Sequence, residues 1–252
     1  MRILGIDSST TVAGVAVVED DRLVVETFLN TRKNHSQRLM PMLDAMLREA
    51  DLTLADIDAL AVSIGPGSFT GLRIGLATVK GLAQATGKPL IGVPTLDALA
   101  LNVAGLTGLI CPVLDARKNE VYMAVYQSAS SLQVNRISDY LAISPTELIG
   151  LFQGSRFFGD GASDWRHCPV TFLGDATPVY RDLLTEGLGN RARWVLPTHN
   201  LIRAAQIAYL GGQRLAAGQK DDYLTIKPLY IRQSEAEVRW QSREKENACY
   251  RR

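Results

Sequence analysis

The residues best suited to chemistry are carboxylates and hydroxyls placed where apolar runs stop. Asp7 closes the run Ile3-Leu4-Gly5-Ile6 and is followed by Ser8-Ser9-Thr10-Thr11. An acid at a strand end can hold a metal–phosphate group while the hydroxyls and amides beside it contact phosphate oxygens. The competing reading is a turn whose side chains satisfy its own backbone. Asp115 ends the run 109–114 in the same way. Between the two acids lies Gly65-Pro66-Gly67-Ser68-Phe69-Thr70-Gly71-Leu72-Arg73-Ile74-Gly75, entered from the apolar run 59–64. Gly65 and Gly67 allow backbone shapes closed to other residues, Pro66 stiffens the turn, and Ser68 and Thr70 are N-cap candidates. A turn of this kind ahead of a helix either binds phosphate through its free N–H groups or lets strand and helix pack closely. It is no Walker loop, because Leu72-Arg73 follow Gly71, and no dinucleotide fingerprint, because Thr70 stands where the last Gly belongs.

No metal site is expected. A helix-borne site at His35 needs a second His on the same face, where Leu39 and Leu43 stand, and His167 and His199 lack ligand spacing. Cys111, Cys168 and Cys249 are odd in number and far apart, so neither a zinc pair nor a disulfide framework is expected.

The elements that must position these groups follow from periodicity. Strands are predicted over 2–7, 11–18 and 22–29, with a turn at Asp20-Asp21, then a helix from about 34 to 50. Its stripe Leu39, Met42, Leu43, Met46 and Leu47 has helical spacing, and Pro41 is placed near its first turn. The strand 59–64, the Gly-rich turn, a helix 72–83, a strand 89–94 and a helix from Thr95 to about Val103 complete a first cycle. A second cycle opens near Gly108 with strands over 109–114, 121–127 and 132–137, a helix start at Ser144-Pro145, a short strand in 156–161 and a helix over 201–217. The stretch between the last two is weakly patterned. The chain thus reads as an α/β protein of 252 residues with a duplicated architecture.

Composition narrows the classes. Hydrophobic residues make up 46% and charged ones 21%, which fits a globular protein, and a net charge of +1 offers no strong field for nucleic acid or anionic membrane. No apolar run is long enough to span a membrane, the chain opens on a strand and not a signal peptide, and a reducing cytoplasm is expected.

Four stretches carry a resemblance: Ile3-Leu4-Gly5-Ile6-Asp7-Ser8-Ser9, the Gly65–Gly75 motif, Leu114-Asp115-Ala116-Arg117 and Tyr230-Ile231-Arg232-Gln233-Ser234-Glu235-Ala236-Glu237. Together they resemble the bacterial TsaB (YeaZ) family, over nearly the whole chain. That resemblance implies an α/β fold of two ribonuclease-H-like domains in tandem, of the actin/Hsp70/sugar-kinase kind, with mixed sheets flanked by helices. The expected division is 1–107 and 108–231, with a polar tail over 232–252. It also implies a part in making N6-threonylcarbamoyladenosine at position 37 of tRNAs reading codons that start with A. The chain would be a scaffold for a catalytic TsaD-type paralogue, joined by a TsaE-type ATPase, with tRNA contact confined to the complex.

The phosphate loops depart from the superfamily pattern. Ser9 and Arg117 stand two residues after their acids, where that pattern has Gly. Asp7, Ser8, Ser9 and Asp115 are therefore candidates for a degenerate nucleotide site, and no cofactor is expected. The alternative, an autonomous ATPase or phosphotransferase built on Asp7, needs intact loops. A metallopeptidase reading fails for want of a His–Glu–His set. The expected partner surface, by the resemblance, is the first two helices: Leu39, Leu43, Met46 and Leu47 on one, Gly71, Leu72, Gly75 and Thr78 on the other. The same surface is expected to form a homodimer when the chain is alone.

Overall fold

In the computed structural model the described residues are 1–30, 35–128, 133–154 and 165–232. The tail beyond Arg232, the expected strand at 156–161 and the side chain of His35 lie outside them.

Strands β1 (Arg2–Asp7), β2 (Val12–Glu19) and β3 (Arg22–Asn30) form an antiparallel meander. Asp20 takes the left-handed φ of 53° that the short β2–β3 turn requires. Helix α1 (His35–Glu49) then leads to β4 (Ala59–Gly65), parallel to β1, and α2 (Phe69–Thr86) leads to β5 (Leu90–Pro94), parallel to β4. The first sheet has the order β3-β2-β1-β4-β5. Its inner strands are covered on both faces, which is why β2 and β4 read as near-continuous apolar runs. Pro41 is the seventh residue of α1 and so lies in its second turn, not near its first. Helix α2 starts before Leu72 because the Ser68 side chain accepts a hydrogen bond from the Gly71 N–H. It stops at Gly87, whose φ of 70° is the usual left-handed helix end.

After α3 (Thr95–Ala100) comes a second mixed sheet, built from β6 (Leu109–Arg117), β7 (Glu120–Met123), β8 (Tyr126–Ser128), β9 (Val134–Arg136) and β10 (Leu141–Ile143). Helix α4 (Pro145–Gln153), β11 (Val170–Leu173), α5 (Thr177–Leu188), β12 (Ala192–Trp194) and α6 (Ala204–Ala216) follow. The spine of this sheet is β10-β7-β6-β11-β12, with β8 paired to β6 and β9 to β8. The single strand expected over 121–127 is two, separated at Ala124-Val125. The weakly patterned stretch contains β11, α5 and β12; strands of four and three residues are too short for alternation to register.

Helices α3 and α6 tie the two halves together. One face of the first sheet packs Leu4, Ile6, Val15 and Val17 against α1 and α2. Its other face packs Ile3, Ala59, Ala61 and Val93 against Ile207 and Ala208 of α6. A Cβ at Gly5 would lie 2.3 Å from the Ala204 carbonyl oxygen, and one at Gly211 would lie 2.5 Å from the Ala61 Cβ, so α6 sits almost backbone to backbone on β1 and β4. Conversely, Leu96, Leu99 and Ala100 of α3 join Ile110, Leu114 and Leu173 of the second sheet. The expected break at 107/108 assigns α3 to the first unit and α6 to the second, whereas α6 packs on the first sheet and α3 touches both sheets.

Candidate functional site

β1 and β4 run side by side and end together, with Ile6 opposite Val62. Just beyond, Asp7, Ser8 and Ser9 are all but fully buried, at 0%, 1% and 0% exposure. The Ser9 hydroxyl donates to Asp7 Oδ1 at 2.7 Å and the Ser9 N–H donates to the same oxygen at 3.2 Å. The Ser8 hydroxyl donates to the Gly71 carbonyl at 2.8 Å. Both serine hydroxyls and the Ser9 N–H are bonded within the chain.

The Gly-rich motif lies directly on this turn. The Ser68 N–H donates to the Ser9 carbonyl at 2.6 Å. A Cβ on Gly67 would be 2.3 Å from the Ser9 carbonyl oxygen, one on Gly71 would be 2.0 Å from that of Ser8, and one on Gly75 would be 2.4 Å from the Ser8 hydroxyl. Gly65 and Gly67 take φ values of 113° and 158°, and the Gly65–Pro66 peptide is cis. Of the two sequence readings, phosphate cradle and close packing, the geometry supports close packing. Helix α2 is seated on the Asp7 turn, and glycine is the residue that permits it.

This corrects the expected partner surface. Leu39, Leu43, Met46 and Leu47 are 1%, 2%, 2% and 6% exposed, and all belong to the core beneath the first sheet. Leu72 is 2% exposed, Gly71 and Gly75 face the Ser8 turn, and Thr78 is half-buried. The apolar stripe of α1 covers its own sheet, which is what an amphipathic helix does first. The outward residues include Met40 (44% exposed), Pro41, Asp44, Ala45 and Arg48 of α1, with Arg73, Ala77, Gly81 and Gln84 of α2. A Cβ at Gly81 would meet nothing within 4 Å.

Asp115 differs from Asp7. Its side chain is 43% exposed, Oδ2 pairs with Arg117 Nη1 at 3.3 Å, and Oδ1 accepts the Arg117 N–H at 2.7 Å. Its own N–H donates to Asp175 Oδ1 at 3.0 Å. Arg117, Lys118 and Asn119 have φ of 64°, 54° and 59°, so the β6–β7 turn is a run of three left-handed residues. Asp7 closes β1 and is buried, whereas β6 runs two residues past the half-exposed Asp115; each acid accepts the N–H of the residue two places on. Among the described residues no group of three or more His, Cys, Asp or Glu could hold a metal ion.

Three contacts escaped sequence reasoning. Asp97 Oδ1 accepts both the Tyr126 hydroxyl (2.6 Å) and the Tyr140 hydroxyl (2.7 Å), joining α3 to the second sheet; desolvation, then the Asp97 charge, push the Tyr126 hydroxyl well above the usual phenol range. Arg203 forms an ion pair with the buried Glu26 carboxylate and so ties the start of α6 to β3. Segment 219–232 returns along the first sheet: Asp221 Oδ2 accepts the Gly92 N–H at 2.7 Å, Leu229 N–H donates to the Ile64 carbonyl at 2.6 Å, and Arg232 Nη1 donates to Glu120 at 2.7 Å. The signal for that return was the quoted Tyr230-Ile231-Arg232 stretch, which names the residues but not what they touch.

Similarity to known proteins agrees with this architecture. The family model described as "TsaD: tRNA N6-adenosine threonylcarbamoyltransferase" matches residues 27–240. The chain is 32% identical over 240 residues to the tRNA threonylcarbamoyladenosine biosynthesis protein TsaB of Bacillus subtilis (strain 168), covering 95% of this chain and 98% of that one. It is 28% identical to the protein of the same name from Haemophilus influenzae, covering 95% and 96% of the two chains. Among solved structures, YeaZ from Pseudomonas aeruginosa superposes with a TM-score of 0.73 at 27% identity, covering 91% of this chain and 99% of the other. A full-length match at this identity, together with the shared mixed-sheet fold, shows that the chain belongs to the TsaB (YeaZ) family.

Proposed function

We propose that this chain is a non-catalytic supporting subunit in the biosynthesis of N6-threonylcarbamoyladenosine at position 37 of tRNAs reading codons that start with A. The observation that carries this reading is the seating of Gly67 and Gly71 on Ser9 and Ser8, with Ser9 bonded back to Asp7. A turn whose two serine hydroxyls and Ser9 amide are engaged by its own chain offers few groups to the triphosphate that an ATPase of this fold would cradle there. The chain therefore acts without a nucleotide of its own and binds a TsaD-type catalytic paralogue, with a TsaE-type ATPase completing the complex.

The partner surface is the outward face of α1 and α2 around Met40, Ala45, Ala77 and Gly81, in place of the buried stripe. Small residues there let a neighbouring helix approach closely, and the same face joins two copies when the paralogue is absent. Such an interface buries roughly 1,200–2,000 Å² in total. Gly81→Arg tests it, because the position is open and the fold tolerates the side chain. Sedimentation of the variant is expected to show a folded monomer that no longer binds the paralogue. A dimer or complex of normal strength places the partner surface elsewhere.

A further inference from the structure

At the start of α2, side chains distant in the chain meet on the surface. Phe69 and Tyr230 are each 40% exposed, and their rings stack with centroids 5.3 Å apart and planes at 29°. The Arg73 guanidinium lies 3.8 Å from the Phe69 ring centroid, and its Nε donates to Tyr230 Oη at 3.0 Å. Tyr230 is in turn held from both sides, by the Leu229 N–H on the Ile64 carbonyl and by Arg232 on Glu120. Arg73 is thus fixed by a ring and a hydroxyl, neither of which neutralises it, and among the described residues it pairs with no carboxylate. Its Nη1 and Nη2 still have hydrogens to donate, and so does the Tyr230 hydroxyl. Phe69, Arg73, Ala77 and Gly81 follow at four-residue steps along the exposed side of α2. A partner helix lying on Ala77 and Gly81 therefore also covers Arg73, one turn away.

We propose that an acidic side chain of the catalytic paralogue docks on Arg73, its two carboxylate oxygens across Nη1 and Nη2, with Phe69 and Tyr230 shielding the pair from water. A charge covered by a partner and left without a counter-charge is strongly unfavourable, so whatever covers Arg73 must be negative and must accept hydrogen bonds. A planar guanidinium matches the two oxygens of one carboxylate. An arginine already fixed before docking also loses less freedom on binding, and Arg and Tyr are the residues in which interface hot spots are enriched. Tyr230 is a positioning residue here, because its hydroxyl orients the guanidinium, and through it the segment 219–232 joins the partner surface. The inference rests on the paralogue reading above and adds which charge the partner brings and where it lands.

The test measures the affinity of the full chain for the purified paralogue by titration calorimetry, with the chain's own dimerisation followed by sedimentation. Arg73→Gln is expected to raise the paralogue Kd about 30-fold while the circular dichroism and melting of the chain stay those of the parent. Arg73→Lys keeps the charge without the planar fork and recovers only part of the loss. Tyr230→Phe keeps the stacked ring, removes the hydroxyl and raises the Kd about fivefold. Each exposed Asp and Glu on the paralogue's docking helices is then changed to its amide. One of these changes is expected to weaken the parent complex about as much as Arg73→Gln does, and to add nothing to the Arg73→Gln complex. Normal paralogue affinity in Arg73→Gln overturns the inference, and so does a loss that couples to no paralogue carboxylate. If only the homodimer weakens, the cluster faces a second copy and the inference is again overturned. Gly81→Arg separates the two readings. If it abolishes the complex while Arg73→Gln binds as the parent does, the surface stands and this contact alone fails. If the parent chain binds no paralogue, the functional reading fails and this inference with it.

Discussion

Replacing Gly71 by Ala adds one carbon where the structure has no room for it. The new Cβ would sit 2.0 Å from the Ser8 carbonyl oxygen. Relief requires more than an ångström of movement, either of α2 or of the Asp7 turn. The turn is held by β1 and by the two Ser9 bonds to Asp7 Oδ1, and α2 is held by its packing in the core below the sheet. Overpacking against backbone costs about 3 kcal/mol, and the better helix propensity of Ala returns about 1 kcal/mol, leaving a net loss of about 2 kcal/mol. At about 2–4 °C per kcal/mol for a chain of this size, the melting temperature falls by about 4–8 °C. Gly81→Ala is the internal control on the same helix, where the Cβ meets nothing within 4 Å. There only the propensity gain of about 1 kcal/mol operates, and melting rises by about 2–4 °C. Thermal denaturation followed by circular dichroism, with paralogue affinity measured alongside, separates the two sites. The reasoning is refuted if Gly71→Ala melts with the parent protein, and more so if it does so while losing partner affinity, since Gly71 would then face a partner and not Ser8.

Three further outcomes are expected. Leu43→Ala removes a 2%-exposed core side chain and should cost about 2–5 kcal/mol in urea denaturation, with partner affinity unchanged once the protein is folded. Glu147 caps α4 by accepting from the Ser144 N–H and hydroxyl, which hold its carboxyl below the usual carboxylate range. The stabilisation is present above the unfolded-state value near 4.5 and is lost as pH falls through the lowered folded value, so Glu147→Gln should melt earlier than the parent at neutral pH and level with it in strong acid. Magnesium ATP at about 10 mM should leave the melting temperature unmoved, whereas binding with a Kd of about 1 mM would add about 1.4 kcal/mol and shift it by several degrees.

Much of the fold was legible because its strands are long or its helices strongly periodic. Asp7 at a strand end, the Gly65–Gly75 turn and the alternation of strands and helices all follow from local pattern. What failed is what local pattern does not encode. The stripe Leu39-Leu43-Met46-Leu47 announces a buried face but not whether the cover is the chain's own sheet or another molecule. The spacing of Gly71 and Gly75 announces a close approach, and the approaching group is a turn 63 residues earlier and not a foreign helix. Likewise α6 is legible as a helix, while its seat on β1 depends on Gly5 and Gly211 meeting small residues across the halves. The Arg73–Tyr230 contact spans 157 residues and has no sequence signature of its own.

The most direct test of the account is transfer of the threonylcarbamoyl group from threonylcarbamoyl-AMP to tRNA by purified components. This chain alone should give none, the catalytic paralogue with its ATPase should be weak or inactive without this chain, and adding this chain should restore turnover. Transfer by this chain alone, or full turnover by its partners without it, contradicts the supporting role assigned to it.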